Sequence, residues 1–383
     1  MITEATLYLA TPEDARGALL PVVGRPVAFR ALAAAINAGC RRVAVPAGFR
    51  GTDVERAIAA SPRARAATVW LDAQADPPDG PSLLLPAAAL VSDADLRRML
   101  CGEATTTLTP ADASAPVVSA SADLSRALWP EIRAARPLAP SLRRILDGGA
   151  RSRATDWYIH VTGPQQAREA ERLLYGNLGS PIDTPLDTIF HRRLSRPLTR
   201  IAIAAGLTPN QVSLLSLLVG LFAVWGFWRA TPASALLGLA LYAVAVVLDH
   251  CDGEVARLTL SESRFGEWLD VVADTVIHAL LVLAMGVTAQ QAAGGGAVRL
   301  GALAALGVAV SAMIAKTSPR SAGGGIGRFL DVLGSRDGFY AMLVSFLLAL
   351  AGAPAVLPLL MIVVAAGAHA YWLTSLAYRL FSR

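Results

Sequence analysis

Residues 248–274 read LDHCDGEVARLTLSESRFGEWLDVVAD. Four aspartates, Asp249, Asp252, Asp270 and Asp274, stand at the inner ends of two strongly apolar segments. A carboxylate near lipid is costly unless something pairs with it, so these acids decide how the rest of the chain is read. Asp249 and Asp252 are three residues apart, Asp270 and Asp274 four. On helices both spacings put a pair on one face. If the two apolar segments form an antiparallel hairpin, the pairs converge at one end. Four carboxylates cannot sit together ionised without cations between them. Oxygen-only donors select Mg2+, Mn2+ or Ca2+ rather than zinc, and a pair of such ions is the usual apparatus for attack at phosphorus. The plainer alternative makes the aspartates helix caps, or partners of Arg257 and Arg264 in a loop. Acids embedded in membrane segments are functional by default, which weighs against it.

The chain has 383 residues, of which 54% are hydrophobic, and its mean hydropathy is +0.48. Residues 1–178 carry many charges and read as a soluble cytosolic domain. Beyond residue 205 the apolar runs reach the ~20 residues needed to cross a bilayer. Six spans are expected, at roughly 210–228, 233–250, 268–289, 299–315, 338–353 and 355–377, within a domain of residues 208–383. The connections alternate in charge, and Arg257, Arg264, Lys316, Arg320, Arg328, Arg336, Arg379 and Arg383 fall on one side. The positive-inside rule assigns that side, and the four aspartates with it, to the cytosol. The junction 179–207 puts arginines on one face and Ile, Leu and Phe on the other. That suits a helix lying at the membrane interface, with an ordinary amphipathic surface helix as the alternative.

The N-terminus lacks a basic region followed by a long apolar core, so no signal peptide is expected. Cys40, Cys101 and Cys251 are odd in number and widely spaced, which predicts free thiols. The net charge of +5 is carried almost wholly by arginine and sits around the membrane segments, so nucleic acid is not expected as a partner. In the N-terminal half, 5–10, 41–48, 68–73 and 82–91 read as strands, and 27–38 and the stretch after Ser92 as helices. Strands alternating with helices predict a parallel α/β layer. The Ala/Ser/Thr/Pro-rich stretch 105–123 reads as loop or edge.

The pattern Asp249-x2-Asp252-Gly253-x2-Ala256-Arg257-x8-Gly266-x3-Asp270-x3-Asp274 resembles the signature of the CDP-alcohol phosphotransferases at all eight positions. Thr208-Pro209-Asn210 and the six-span count extend the resemblance over roughly residues 180–383. It implies that Asp249, Asp252 and Asp270, with Asp274, hold two divalent cations, Mg2+ or Mn2+. It implies that Asp274 is the general base on the acceptor hydroxyl. Asp249, Asp252, Gly253, Ala256, Arg257 and Gly266 would line the CDP site. The implied reaction is attack of an alcohol on a CDP-linked phosphate, releasing CMP, by a homodimer in the cytoplasmic membrane. Lys316 is the sole lysine of the chain. With Arg336 and Arg379 its placement resembles the acceptor-phosphate pocket of the family's inositol-phosphate-using branch.

The stretches 17–48 and 157–174 resemble nucleotidyltransferases. The layout of a soluble α/β nucleotidyltransferase-like domain before six transmembrane helices resembles the bifunctional inositol-phosphate cytidylyltransferase/di-inositol-phosphate phosphate synthases. Here the Gly-rich loop is replaced by ATPEDARGA, its lysine is missing, and His160 and Thr162 stand where metal-binding aspartates are expected. Without those glycines the backbone cannot close on a triphosphate, so this domain is expected to lack catalysis. The resemblance implies CDP-diacylglycerol or CDP-inositol as the donor, the latter giving a di-inositol phosphate product, and an inositol phosphate or another polyol phosphate as the acceptor. A transporter using the acids as an ion path is the non-enzymatic alternative.

Overall fold

The computed structural model describes residues 2–72, 74–101, 106–108, 115–146, 151–153, 157–179, 183–317 and 335–381, with backbone alone at 106–108, 143–146, 151–153, 315–317, 375 and 378–381. The chain divides into two compact units, residues 1–178 with 257–261, and residues 179–256 with 262–383.

The first unit is a soluble-type α/β fold around a mixed sheet. Its strands are β1 (Glu4–Tyr8), the two-residue β2 (Pro21–Val22) and β3 (Arg25–Pro26), β4 (Arg42–Pro46), β5 (Thr68–Leu71), β6 (Ser82–Pro86), β7 (Ala89–Val91), β8 (Thr106–Leu108), β9 (Val117–Ala120), β10 (Arg151–Arg153) and β11 (Tyr158–His160). The main sheet runs β10-β8-β9-β6-β1-β4-β5. Strands β6, β1, β4 and β5 are parallel, as the alternation of strands and helices predicts, whereas β9 is antiparallel to both β6 and β8. The helix Val27–Ala38 is buried along Val27–Ala35 and ends at Gly39, whose φ of 125° only glycine adopts readily.

Two expectations need correction. The stretch 82–91 is two strands, not one: β6 ends at Pro86, and β7 turns away to pair with β11. Proline offers no amide to continue the ladder. The stretch 105–123 is not simply loop or edge. Val117–Ala120 lies between β6 and β8 with every residue buried. Burial against Tyr8, Leu84 and Trp129 outweighs the turn-like composition on either side.

The second unit is helical. After a five-residue π-helical turn (Asp187–His191) come α1 (Arg192–Ala204), α2 (Pro209–Trp228), α3 (Pro232–Thr259), α4 (Arg264–Ala293), α5 (Ala297–Thr317), α6 (Arg336–Gly352) and α7 (Leu357–Phe381). Five of them, α2, α3, α4, α5 and a span of residues 354–374 covering most of α7, are long and apolar enough to cross a membrane. The sixth expected span forms α6, whose 17 residues fall short of that length. Leu218, Trp225, Leu237, Leu306, Leu348 and Val363 point outward and exposed, as helices meeting lipid require. Small residues bring backbones together. A Cβ on Gly226 would stand 2.7 Å from Gly238 Cα, and one on Gly286 would stand 2.7 Å from Gly301 Cα, so α2 crosses α3 and α4 crosses α5 at glycines.

Helix α1 and the turn before it are turned inside out relative to a soluble helix. Asp187, His191, Arg192, Ser195 and Thr199 are buried, while Ile189 and Ile201 are each 64% exposed and Phe190 and Leu194 stand out with them.

Candidate active site

Helix α2 starts with a capping box, Thr208 and Gln211 bonding each other's backbone amides. Pro209 occupies its first turn. That fixed start carries Ser213 to Asp252 Oδ2, to which its hydroxyl donates. The two aspartates of α3 and Asp270 of α4 converge: oxygens of Asp249, Asp252 and Asp270 lie within 4.8 Å of one another. Asp274 sits one turn further along α4, and its Oδ2 is 3.9 Å from Arg336 Nη2. The same Nη2 donates to Asp249 Oδ2. Asp252 is buried at 6% exposure, whereas the Asp274 side chain is 37% exposed.

The remaining expected residues divide as follows. Gly253 and Ala256 lie on α3 between the acids and Arg257, which is exposed in the last turn of that helix. At Gly266 a Cβ would come 3.0 Å from Asn210 Oδ1 and 3.2 Å from Ser263 Oγ, the cap of α4. Close packing against the start of α2 therefore favours glycine there. Arg336 opens α6, with Ser335 as its cap. Lys316 and Arg379 fall in α5 and α7, and their side chains lie outside the described residues.

A second polar cluster lies beside the first, and no motif in the sequence marks it. Asp187 Oδ1 lies 2.9 Å from His191 Nδ1 and 2.7 Å from His250 Nε2. Its Oδ2 accepts the Thr184 amide at 2.9 Å. Burial by itself raises the Asp187 carboxyl, but the hydrogen bonds from His191, His250 and Thr184 and the charge of Arg336 outweigh it and hold the group well below the usual carboxylate range. The sequence alone assigns His250 and Cys251 to packing. Cys251 does pack, beside Val212 and Val255. His250 is instead part of this cluster, and its Nε2 is also 3.2 Å from Arg336 Nη1. One turn on, fully buried Glu254 accepts Arg192 at 2.8 Å, Ser195 at 2.7 Å and Thr199 at 2.6 Å. Arg192 also forks onto Asp183 at 2.7 and 2.9 Å. The spacing of Asp187 and His191, four apart, was the available signal. Their further partners, His250 on α3 and Tyr340 on α6, are 63 and 149 residues away and gave none.

Among the described residues, two groups could hold a metal: Asp249, Asp252 and Asp270, and Asp187, His191 and His250. The first is all carboxylate, and among the described residues the Arg336 guanidinium is the cation drawn in beside it, a donor set suited to a hard divalent cation. The second already satisfies its own atoms, and the same guanidinium lies 3.7 Å from Asp187 Oδ2, where it opposes a further cation.

In the first unit, the stretch standing where a Gly-rich loop was expected is closed by a side chain. Asp14, fully buried, accepts the Ala10 amide at 2.8 Å and the Thr11 hydroxyl at 2.6 Å, and lies 2.8 Å from His160 Nε2. At Gly17 a Cβ would meet the Val161 carbonyl at 2.0 Å, so the helical turn Asp14–Gly17 is packed flat against the chain leaving β11.

Residues 206–377 match the CDP-alcohol phosphatidyltransferase family. The chain is 31% identical over 128 residues to the bifunctional IPC transferase and DIPP synthase of Archaeoglobus fulgidus, covering 33% of this chain and 25% of that protein. It is 34% identical over 93 residues to the archaetidylinositol phosphate synthase of Pyrococcus horikoshii, covering 24% and 48%. It is 39% identical over 82 residues to the CDP-diacylglycerol–serine O-phosphatidyltransferase of Mycobacterium leprae, covering 21% and 26%. The matches thus span between a quarter and a half of these relatives. With acids and glycines of its signature gathered at one end of α3 and α4, the segment 206–377 is a CDP-alcohol phosphatidyltransferase domain.

Proposed function

We propose that this protein is a membrane transferase that moves a phospho-alcohol group from a CDP-linked donor to a hydroxyl of an inositol phosphate or another polyol phosphate, releasing CMP. The observation that carries it is the position of Arg336, bonded to Asp249 and 3.9 Å from Asp274. A guanidinium there can hold the acceptor's phosphate while the acceptor's hydroxyl faces the carboxylate that takes its proton.

Asp249, Asp252 and Asp270, completed by Asp274, would hold Mg2+ or Mn2+. Bound there, the cations would neutralise the donor diphosphate and stabilise the attacking and leaving oxygens. Asp274 is the general base. Its partial exposure leaves room for the acceptor, whereas buried Asp252 is held by Ser213. Arg257, exposed beside Gly253 and Ala256, is the cation for the CDP diphosphate. By the resemblance in sequence, Lys316 and Arg379 are the further acceptor-phosphate residues. The outward apolar face of α1 supports placing residues 179–207 at the membrane interface, with the acids and residues 1–178 on the cytosolic side of the cytoplasmic membrane. The Asp14–His160 closure supports a catalytically silent N-terminal domain. Two relatives' names support these substrate classes: one is named for CDP-diacylglycerol as donor and another for an inositol phosphate product.

Purified protein given labelled CDP-diacylglycerol, Mn2+ and inositol phosphate should release CMP, and Asp274→Asn should abolish release with the fold intact. No CMP from any pairing of CDP-diacylglycerol or CDP-inositol with polyol phosphates, or full turnover in Asp274→Asn, overturns the proposal and leaves the transporter alternative.

A further inference from the structure

Arg336 is not held by the reaction carboxylates alone. Its guanidinium has two edges, and different groups take them. Nη2 faces Asp249 and Asp274. Nη1 faces His250 Nε2 at 3.2 Å and Asp187 Oδ2 at 3.7 Å. Asp187 is itself fixed from three directions. It exchanges hydrogen bonds with Thr184, whose amide donates to Oδ2 at 2.9 Å and whose hydroxyl accepts the Asp187 amide at 3.2 Å. Its Oδ1 is shared by His191 at 2.9 Å and His250 at 2.7 Å.

The network then closes on the helix that carries Arg336. His191 Nε2 lies 3.1 Å from the Tyr340 hydroxyl, and the two rings stack with centroids 5.5 Å apart. Tyr340 is one turn after Arg336 on α6. Assigning each imidazole proton to the nitrogen facing Asp187 satisfies the carboxylate twice, leaves His191 Nε2 to accept from Tyr340, and makes Asp187 Oδ2, held in place by His191 and His250, the charge that the Nη1 edge of Arg336 faces. The first turn of α6 is therefore gripped at Arg336 and again at Tyr340. His250 is bonded in sequence to Asp249, so one network touches both members of the Arg336–Asp249 pair. Asp187, His191 and His250 are each no more than 6% exposed.

We propose that Asp187, His191 and His250, with Tyr340, are positioning residues that aim Arg336 at the carboxylate cluster, making the turn before α1 part of the acceptor-phosphate site. This rests on reading Arg336 as the acceptor-phosphate cation. A free arginine side chain samples many rotamers. Held along its Nη1 edge, this one keeps its other edge over Asp249 and Asp274, where the acceptor's phosphate and hydroxyl must arrive together.

Two readouts on the full chain in detergent separate this proposal from the one beneath it. The first is independent of turnover: phenylglyoxal modification of Arg336, followed by peptide mass spectrometry. In Asp187→Asn and His191→Gln, Arg336 should be modified at least 5-fold faster than in the wild type, with other arginine peptides unchanged. An unchanged rate overturns the network whether or not the wild type releases CMP. The second is kinetic, with CDP-diacylglycerol, Mn2+ and inositol phosphate. The same variants should raise the KM for inositol phosphate roughly 10-fold while kcat, donor KM and Mn2+ half-saturation move less than 3-fold. Tyr340→Phe, which deletes one hydroxyl and keeps the packed ring, should show the same split at smaller size and controls for misfolding. A fall in kcat with acceptor KM unchanged counts against positioning. So does a stoichiometric metal that is lost in Asp187→Asn, which would make the triad a metal site instead.

Discussion

Ser213, on the second turn of α2, donates its hydroxyl to Asp252 on α3. The contact orients a buried carboxylate of the candidate metal site. Partners of this kind typically change metal affinity 10- to 100-fold when removed. Ser213→Ala should therefore raise the Mn2+ concentration for half-maximal CMP release by about that factor, with the donor KM little changed. A Mn2+ titration of both proteins checks it. An unchanged midpoint would leave the hydroxyl with only its bond to the Pro209 carbonyl, at 3.2 Å.

Glu254 ties α3 to α1 through Arg192, Ser195 and Thr199. Replacing it with leucine leaves Arg192 buried with Asp183 as its carboxylate partner and strips two hydroxyls of their acceptor. Breaking a buried pair from one side costs roughly 3 kcal/mol. Glu254→Leu should lower the thermal unfolding midpoint in detergent clearly, while Glu254→Gln, which still accepts from the hydroxyls, should lose about half as much. Equal midpoints for wild type and Glu254→Leu would show the node to be dispensable.

The glycine crossings set helix spacing. Gly226→Leu and Gly286→Leu each drive a side chain into backbone 2.7 Å from the Cβ position and should destabilise by 1–3 kcal/mol or more, the order expected for overpacking. Gly367→Leu on α7, where an added Cβ would meet nothing within 4 Å beyond its own stretch of helix, should be tolerated. Unfolding midpoints of the three variants compare directly, and equal losses at Gly226 and Gly367 would contradict the close crossing.

Thiol chemistry tests the fold of the first unit. Burial pushes the Cys40 thiol up to about 12, so at pH 8 it carries almost no thiolate. Cys101 is exposed and Cys251 is buried. Labelling of native protein with a thiol reagent at pH 8 should modify Cys101 alone, and unfolded protein should react at all three. Rapid native labelling of Cys40 would refute its burial.

The Asp14–His160 closure leaves no Gly-rich loop to take a triphosphate, so CTP with inositol phosphate should yield no pyrophosphate above background. Asp14→Ala should lower the unfolding midpoint, because it leaves the Ala10 amide and the Thr11 hydroxyl without their carboxylate partner. Pyrophosphate release by the wild type would show the domain to be active.

Asp249, Asp252, Asp270 and Asp274 were legible because each pair repeats at helical spacing on a segment apolar enough to make a lone acid costly. The strands β1, β4 and β5 were legible because their apolar runs are short and bounded by turn residues. Strand β9 was not, because its four residues take their state from Tyr8, Leu84 and Trp129 rather than from their neighbours in the chain. The role of His250 is hidden for the same reason. Nothing near it in sequence announces Asp187, which reaches it only when α1 lies against α3.

By itself the sequence marked the helix 27–38, the apolar helices of the second unit and the spacing that puts each pair of acids on one helix face, because those properties follow from periodicity and local composition. Only the tertiary structure decided that Arg336 opens its helix against Asp249, that Asp187 joins two histidines from different helices, and that Glu254 is satisfied by three residues of α1. Those pairings depend on backbones brought together at glycines and on buried polar atoms finding partners far along the chain, and neither leaves a period to read.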